Sequence, residues 1–420
     1  MYMCYKDIMA ELRKPLDYKI DRAIAAIESG FTASKHNTAI AFSGGKDSTV
    51  LWHLIRTHFP EQTPEVIYGN TGVEYPESLA FARRIGKAWG GEHFHETHLL
   101  RTEARGLKYQ AQKEVLEWLQ KEGRLSEILK ADGKLKSTQC LERKATPEMW
   151  EAFEQRGLVW PKGTVMSYWW CVDQYGFPIL GKAASLLDAR RINIDCFLAF
   201  SSSTSAQEEL LRYYDILKAC KFSQHCCKLL KKEPSERLQA ELDVDVIFKG
   251  LMASESQTRK MNFATRGYLF QSSRPHLGED PFWHCNPLQI WRDEDIWEYI
   301  HRYNVPYADL YNIGYVDNNG KEHKIERNGC WGCATGILYK DNQITMIRHT
   351  HPKLWRTLMD KGMAEELKKL ADVRSNGLPS VINVMDAQML LEVRPCAFDD
   401  MGSRIDTSGI EDAYDPELAI

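Results

Sequence analysis

No stretch of this 420-residue sequence is apolar for long enough to cross a bilayer, and it contains no internal repeat and no low-complexity tract. A membrane-spanning helix and a repeat architecture are therefore not expected. The opening MYMCYKDIMAELRKP lacks the apolar stretch and small-residue cleavage site of a signal peptide. The expectation is a cytoplasmic protein without a membrane partner. An excess of charge of one sign is also missing: 54 basic against 58 acidic residues leave a formal charge of −4. No global electrostatic footprint for nucleic acid or an anionic membrane follows, and only a local basic groove is left open. A disulfide framework is not suggested by the eleven cysteines; in a reducing compartment, clustered cysteines point to metal or redox chemistry. What the chain has in quantity is apolar residue, 43% with 11% aromatic. That is enough for a large core in one enlarged domain or two.

The first hundred residues alternate apolar runs with helical periodicity. KIDRAIAAIESG (19–30) predicts a helix closed by Gly30, and NTAIAF (37–42) a buried strand. A helix over 49–58, a strand over 65–70, a helix over 76–89 and a third strand over 92–97 follow. Strands alternating with helices predict an α/β fold, a doubly wound parallel sheet with helices on both faces. Residues 108–129 and 147–157 read as helices, and 192–200 and 244–251 as strands. DEDIWEYIHRYN (293–304) reads as a helix with Asp293 near its start. The expected organisation is a nucleotide-binding region over 1–100, an inserted, partly helical specificity region over 101–220, a cysteine-bearing part over 221–345 that completes the site, and a weakly periodic tail over 346–420.

Between the first strand and the next helix stands Ser43-Gly44-Gly45-Lys46-Asp47-Ser48. Backbone N–H groups and the helix dipole favour an anion at such a junction, and two glycines let the backbone approach phosphate oxygens. Lys46 neutralises charge, Asp47 holds magnesium or orients the helix start, and Ser43 and Ser48 supply hydroxyls. Both Lys46 and Asp47 read as exposed-loop residues. A Walker A loop would need Ser or Thr after the lysine, where Asp47 stands. S-G-G-K-D-S resembles instead the PP-loop of the ATP pyrophosphatase superfamily, whose members split ATP into AMP and pyrophosphate. That resemblance implies Lys46 and Asp47 as catalytic residues, the whole loop Ser43–Ser48 as the phosphate grip, and ATP with Mg2+ as ligands. Thr71 and Gly72, after the second strand, would line the same crevice. Arg259, in the polar segment Ser254–Arg259, would clamp a phosphate or sulfate bidentately.

Cys226-Cys227 and Cys330-Trp331-Gly332-Cys333 supply four thiols from two segments. Such a set suits a [4Fe–4S] cluster or a tetrahedral zinc, and adjacent cysteines fit the spread corners of a cubane better than one small ion. Cys4, Cys140, Cys171, Cys196, Cys220, Cys285 and Cys396 read as small buried hydrophobes, and His225 and His284 as ordinary side chains. The paired cysteines, the later Asn286-Pro287-Leu288 and Trp291, and Val305-Pro306-Tyr307 before Cys-x-x-Cys resemble iron–sulfur members of the phosphoadenosine phosphosulfate (PAPS) reductase family. The resemblance implies a [4Fe–4S] cluster on Cys226, Cys227, Cys330 and Cys333, in an iron–sulfur C-terminal part of a PP-loop (adenine nucleotide alpha hydrolase-like) fold.

Two features depart from the reductases. Their phosphate loop is usually degenerate, whereas this one is intact, and Cys396 does not stand in their Glu-Cys-Gly context. Intact loop plus cluster resembles the proteins of bacterial DNA phosphorothioation. These activate an oxygen with ATP and replace it with sulfur, and work with a cysteine desulfurase and other modification proteins. DNA, ahead of tRNA, is then the expected acceptor, and a homo-oligomer is left open. A sulfonucleotide reductase and a non-catalytic nucleotide sensor are the competing readings.

Overall fold

The computed structural model describes residues 5–130, 136, 139–179, 220–317, 320–336 and 343–372. The strand expected over 192–200, Cys4, Cys196, Cys396 and the acidic end lie outside the described residues.

In chain order the elements are α1 (Tyr5–Glu11), α2 (Leu16–Ala33), β1 (Asn37–Phe42), α3 (Lys46–His58), β2 (Glu65–Tyr68), α4 (Pro76–Ile85) and β3 (Phe94–Glu96). The short β4 (Gly106–Leu107), α5 (Tyr109–Lys121), α6 (Pro147–Gln155), β5 (Val159–Trp160) and α7 (Tyr168–Tyr175) follow. Then come α8 (Glu233–Glu241), β6 (Val244–Lys249), α9 (Gln257–Arg266), β7 (Leu269–Ser272), β8 (Phe282–Cys285) and α10 (Asp293–Tyr303). A small β9–β10 hairpin (Gly314–Val316, Glu322–Lys324) precedes α11 (Gln343–Thr350), α12 (Pro352–Leu358) and α13 (Ala364–Asp372).

Six strands form the central sheet in the order β3-β2-β1-β6-β8-β7. All neighbours run parallel except β7, which is antiparallel to β8. The fold is therefore a mixed α/β layer structure with a mostly parallel sheet, and the strand order reverses between β1 and β6. Parallel strands buried on both faces must be apolar throughout, which is why NTAIAF and VDVIFK carry near-continuous apolar runs. One face, with Ile40, Phe42, Val66, Tyr68, Val246 and Phe248, packs in the main core with residues of α2, α3 and α10. The opposite face, with Ala39, Ile67 and Ile247, packs beside Leu238 of α8. Residues of α5, α6 and the β4–β5 pair build a separate small core around Leu116, Leu119 and Phe153.

Gly30 does not close α2, as its position predicts; the helix continues to Ala33 with Gly30 buried inside it. Its role is close approach. A Cβ there would sit 2.5 Å from the Phe248 ring and 3.2 Å from Cys285 Sγ. Overpacking of this kind costs about 1–3 kcal/mol. Gly30→Ala is expected to lower stability by that amount in urea unfolding, and an unchanged midpoint would show that α2 can draw back from the sheet.

Candidate active site

The phosphate loop leaves β1 at Phe42 and enters α3 at Lys46. Gly44 takes φ +69°, and a Cβ there would also press within 3.0 Å of Ala82 on α4. Conformation and space both demand glycine. Ser43 Oγ and Ser48 Oγ lie 3.1 Å apart, Gly45 N–H donates to Ser43 Oγ at 3.3 Å, and Ser48 Oγ donates to the Gly45 carbonyl at 3.0 Å. The two serines thus brace the turn from inside.

Lys46 and Asp47 are the first residues of α3 rather than exposed-loop residues, and Lys46 is only 4% exposed. The reason is local: the Lys46 ammonium reaches 2.6 Å from Asp293 Oδ1, at the start of α10, and 3.2 Å from Asp47 Oδ1. Its amide N–H donates to the Tyr311 hydroxyl at 3.1 Å. Burial alone would lower the Lys46 pKa, but the Asp47 charge and the Asp293 contact overcome it and hold the ammonium above its ordinary range. Burial raises the Asp47 carboxyl, with Lys46 opposing. Arg327 also acts on Asp47, and burial followed by Arg327 lowers the Arg259 guanidinium. Lys46, Arg259 and Arg327 therefore face one acidic position beside an open helix N-terminus, a set able to grip phosphate oxygens.

Ser254–Arg259 is not a solvated loop. Ser256 caps α9 by accepting from the Arg259 amide at 3.2 Å, and the Arg259 side chain pairs with Glu255. Asp293, Tyr311, Arg327 and Asn328 were not singled out as site residues from sequence. Asn328 Nδ2 donates to the Ser43 carbonyl at 2.8 Å, while its Oδ1 is buried without a partner.

The start of α10 is anchored by a buried ion pair. Lys19 Nζ sits 2.5 Å from Asp295 Oδ2, with side chains 0% and 5% exposed, and Asp295 also accepts from the Arg292 amide at 2.6 Å. Removing one partner of a buried pair costs about 3–5 kcal/mol because the other charge is left unmatched. Asp295→Ala is expected to lose that much in urea unfolding. A loss below about 1 kcal/mol, the range of exposed pairs, would mean water reaches Lys19.

Thr71 is held by Glu74 and lies against the cysteine segment. Its N–H and hydroxyl both donate to the Glu74 carboxylate, at 3.0 and 2.7 Å, and its Oγ1 lies 3.4 Å from Cys330 Sγ. Gly72 takes φ +78° in a turn closed by its amide donating to Asn70 Oδ1 at 2.8 Å. Residues 73–74 are strapped to the Cys-x-x-Cys segment: Trp331 N–H donates to the Val73 carbonyl at 2.8 Å, and Glu74 pairs with Cys330 as an isolated bridge. Asn328 and Cys330, two residues apart, thereby join the nucleotide loop and the thiols in one strip of backbone.

Three of the four expected cysteine ligands, Cys226, Cys330 and Cys333, act on Tyr168 of α7, and Cys227 lies against Cys226. The Tyr168 hydroxyl donates to the Gly332 carbonyl at 2.6 Å, and its phenol, raised by burial, is raised further by Cys226, Cys333, Cys330 and Cys171. Cys226 is pushed up by its contact with Cys227 and by burial, and burial with Glu74 pushes Cys330 up to about 12. Cys140, Cys171, Cys220 and Cys285 are buried, as small hydrophobes should be. Cys171 is also close enough to Cys227 for the two charges to interact, a placement that sequence did not foreshadow. His284 is held by Lys249 and Ser272 and takes no part. Among the described residues no three His, Cys, Asp or Glu side chains are grouped to hold a metal ion.

A mostly parallel sheet with a glycine loop at the strand-order reversal defines the class: a doubly wound α/β protein, a fold whose ligands bind at the carboxyl ends of the strands. The Phosphoadenosine phosphosulfate reductase domain model matches residues 37–146 and 187–335, and the chain belongs to that family. An adenosine 5'-phosphosulfate reductase of Bacillus cytotoxicus is 33% identical over 91 residues, 21% of this chain and 34% of that protein. A phosphoadenosine 5'-phosphosulfate reductase of Xylella fastidiosa is 35% identical over 88 residues, 21% and 32% of the two chains. The chain thus spans about a third of the length of these curated relatives. The solved PAPS reductase from Candida auris aligns over 76% of this chain and 97% of its own, at 12% identity and a TM-score of 0.33. Among the described residues no helix is long and apolar enough to cross a membrane.

Proposed function

We propose that this protein cleaves ATP to AMP and pyrophosphate and uses the adenylate to activate an oxygen of a nucleic acid for replacement by sulfur, with the DNA backbone as the leading acceptor. The observation that carries this reading is the buried Lys46 ammonium, 2.6 Å from Asp293 and 3.2 Å from Asp47, with Arg259 and Arg327 acting on the same carboxylate. In the proposed step an acceptor oxygen attacks the α-phosphorus, the α–β bond breaks, and pyrophosphate departs with the electron pair. Lys46, Arg259 and Arg327 meet the charge that grows on the leaving group. Sulfur at the sulfide level then attacks the activated centre, and AMP leaves with the original oxygen. Asp47 and Asp293 would hold Mg2+, which supplies charge neutralisation on the phosphates; one or two carboxylates plus substrate oxygens are its usual ligands. Cys226, Cys227, Cys330 and Cys333 would hold a [4Fe–4S] cluster, which supplies a binding place for sulfide. The Asn328–Cys330 strip supports coupling between the two halves of this chemistry. The expected partner is a cysteine desulfurase.

A second reading, reduction of PAPS or adenosine phosphosulfate to sulfite, is favoured by the reductase relatives and needs a thiol to attack sulfur. Product analysis separates them. Incubation with ATP, sulfide and an oligodeoxynucleotide should give AMP, pyrophosphate and a sulfur-bearing strand. Sulfite from PAPS, with no sulfur in the strand, would transfer the protein to the reductases.

A further inference from the structure

Away from the phosphate loop and the thiols, cations gather along one face of β6, β8 and β7, from Lys249 at the carboxyl end of β6 to Arg274 over Phe282 at the start of β8. Pairing register aligns Lys249 with Ala41, and His284 with both Ile247 and Phe270. Side chains alternate along a strand, so Lys249, His284, Phe270 and Ser272 share one sheet face. On this face Leu238 of α8 packs with Val244, Ile247 and Phe282; Lys249, at the end of β6, lies beyond that apolar patch.

There Lys249 Nζ lies 2.9 Å from His284 Nδ1, and His284 Nε2 lies 2.9 Å from Ser272 Oγ. A lysine ammonium only donates, so Nδ1 accepts and the ring carries its proton on Nε2, donating to Ser272. Arg274 crosses the Phe282 ring at 4.9 Å and Arg266 the Phe270 ring at 5.4 Å. Among the described residues the carboxylate at this cluster is Glu236, 3.2 Å from Arg274, whose Nε is buried without a partner. Lys19 shows how the same chain treats a buried ammonium elsewhere, with Asp295 at 2.5 Å. Lys249 has no carboxylate at ion-pair distance among the described residues. Burial and Arg274 push Lys249 down to about 8, and burial with Lys249, Arg274 and Arg266 pushes His284 down to about 3. Half-buried positive charge from Lys249, Arg266 and Arg274 in excess of the Glu236 carboxylate is costly to keep, and an incoming anion would relieve it.

We propose that Lys249, Arg274 and Ser272 form a second anion site, which takes a backbone phosphate of the nucleic-acid acceptor beside the ATP phosphates. The identity of the anion rests on the function proposed above; the existence of the site does not. Its place fits. Gly250, next to Lys249, lies so close to the start of α3 that a Cβ there would be 3.0 Å from the Asp47 carbonyl carbon. The Lys249 end of the site thus lies beside the phosphate loop at the strand-order reversal between β1 and β6, where ligands of such sheets bind, and Ser272 and Arg274 extend it away along β7. An ammonium, an unpartnered guanidinium Nε–H and a hydroxyl are donors suited to phosphate oxygens.

The test uses the full chain, inorganic phosphate, and short single-stranded DNA and RNA. Lys249→Met and Arg274→Gln should each weaken oligonucleotide binding about tenfold, the scale of one charged contact, and flatten its salt dependence by about one phosphate contact. Lys249→Arg should retain most of the affinity, and ATP binding should be unchanged in all three. Inorganic phosphate should move the His284 ring NMR signal, assigned by its loss in His284→Gln, in the wild type and not in Lys249→Met. If oligonucleotides bind the wild type and Lys249→Met alike, and phosphate leaves His284 unmoved, the second site is overturned while a nucleic-acid acceptor stands. If phosphate moves His284 but no oligonucleotide binds, the site stands and the acceptor reading falls.

Discussion

Lys46→Ala should abolish pyrophosphate release from ATP, lowering kcat by about 10²–10³-fold or more, the range for losing one preorganised charge aimed at a developing anion. The ammonium is buried, and its nearest acidic neighbours are Asp47 and Asp293. Its removal leaves those carboxylates facing the ATP phosphates with only Arg259 and Arg327 to offset them. Because burial makes Lys46 part of the packing as well, Asp293→Asn is the companion variant. Asp293 is 55% exposed, so the fold should survive its neutralisation while the lysine loses an anchor. A smaller fall in kcat is expected there, with an unchanged melting temperature. Normal pyrophosphate release by both variants would remove the loop from the chemistry.

The second large effect concerns the thiols. Protein purified without oxygen should be brown, and Cys→Ser at 226, 227, 330 or 333 should each remove most of the iron and the broad visible absorbance. Cys140→Ser and Cys285→Ser should leave both intact, since Cys140 packs in the small core around Leu116 and Cys285 against α2. Iron bound to the four thiols would tie the segment before α8 to the strip that carries Asn328 and Cys330, so its loss should also loosen the C-terminal half. Faster proteolysis of the iron-free protein beyond residue 220 checks this. Stoichiometric zinc without iron would overturn the cluster and leave ATP chemistry without a sulfur relay.

The central sheet and the phosphate loop were legible because their signals are local. A parallel strand buried on both faces has to be apolar along its whole length, and NTAIAF and VDVIFK match β1 and the body of β6. Gly30 was misread because a glycine that ends a helix and one that admits a neighbouring ring are the same letter; only the Phe248 contact distinguishes them. Lys46 looked exposed because its covering partners, Asp293 and Tyr311, are remote in sequence. Asn328 and Arg327 were invisible for the same reason. Arg259 was singled out through its segment, but its helix, cap and Glu255 partner were not legible there. The Lys249–His284–Ser272 chain depends on register between three strands, which no single run of residues encodes.

The account stands most directly on which bond of ATP is broken. ATP labelled at its α-phosphate, mixed with the full chain, Mg2+ and an oligodeoxynucleotide, should yield labelled AMP with an equal amount of pyrophosphate, and Lys46→Ala should yield neither. Labelled ADP with free phosphate, or intact ATP alongside sulfite release from PAPS, would contradict it.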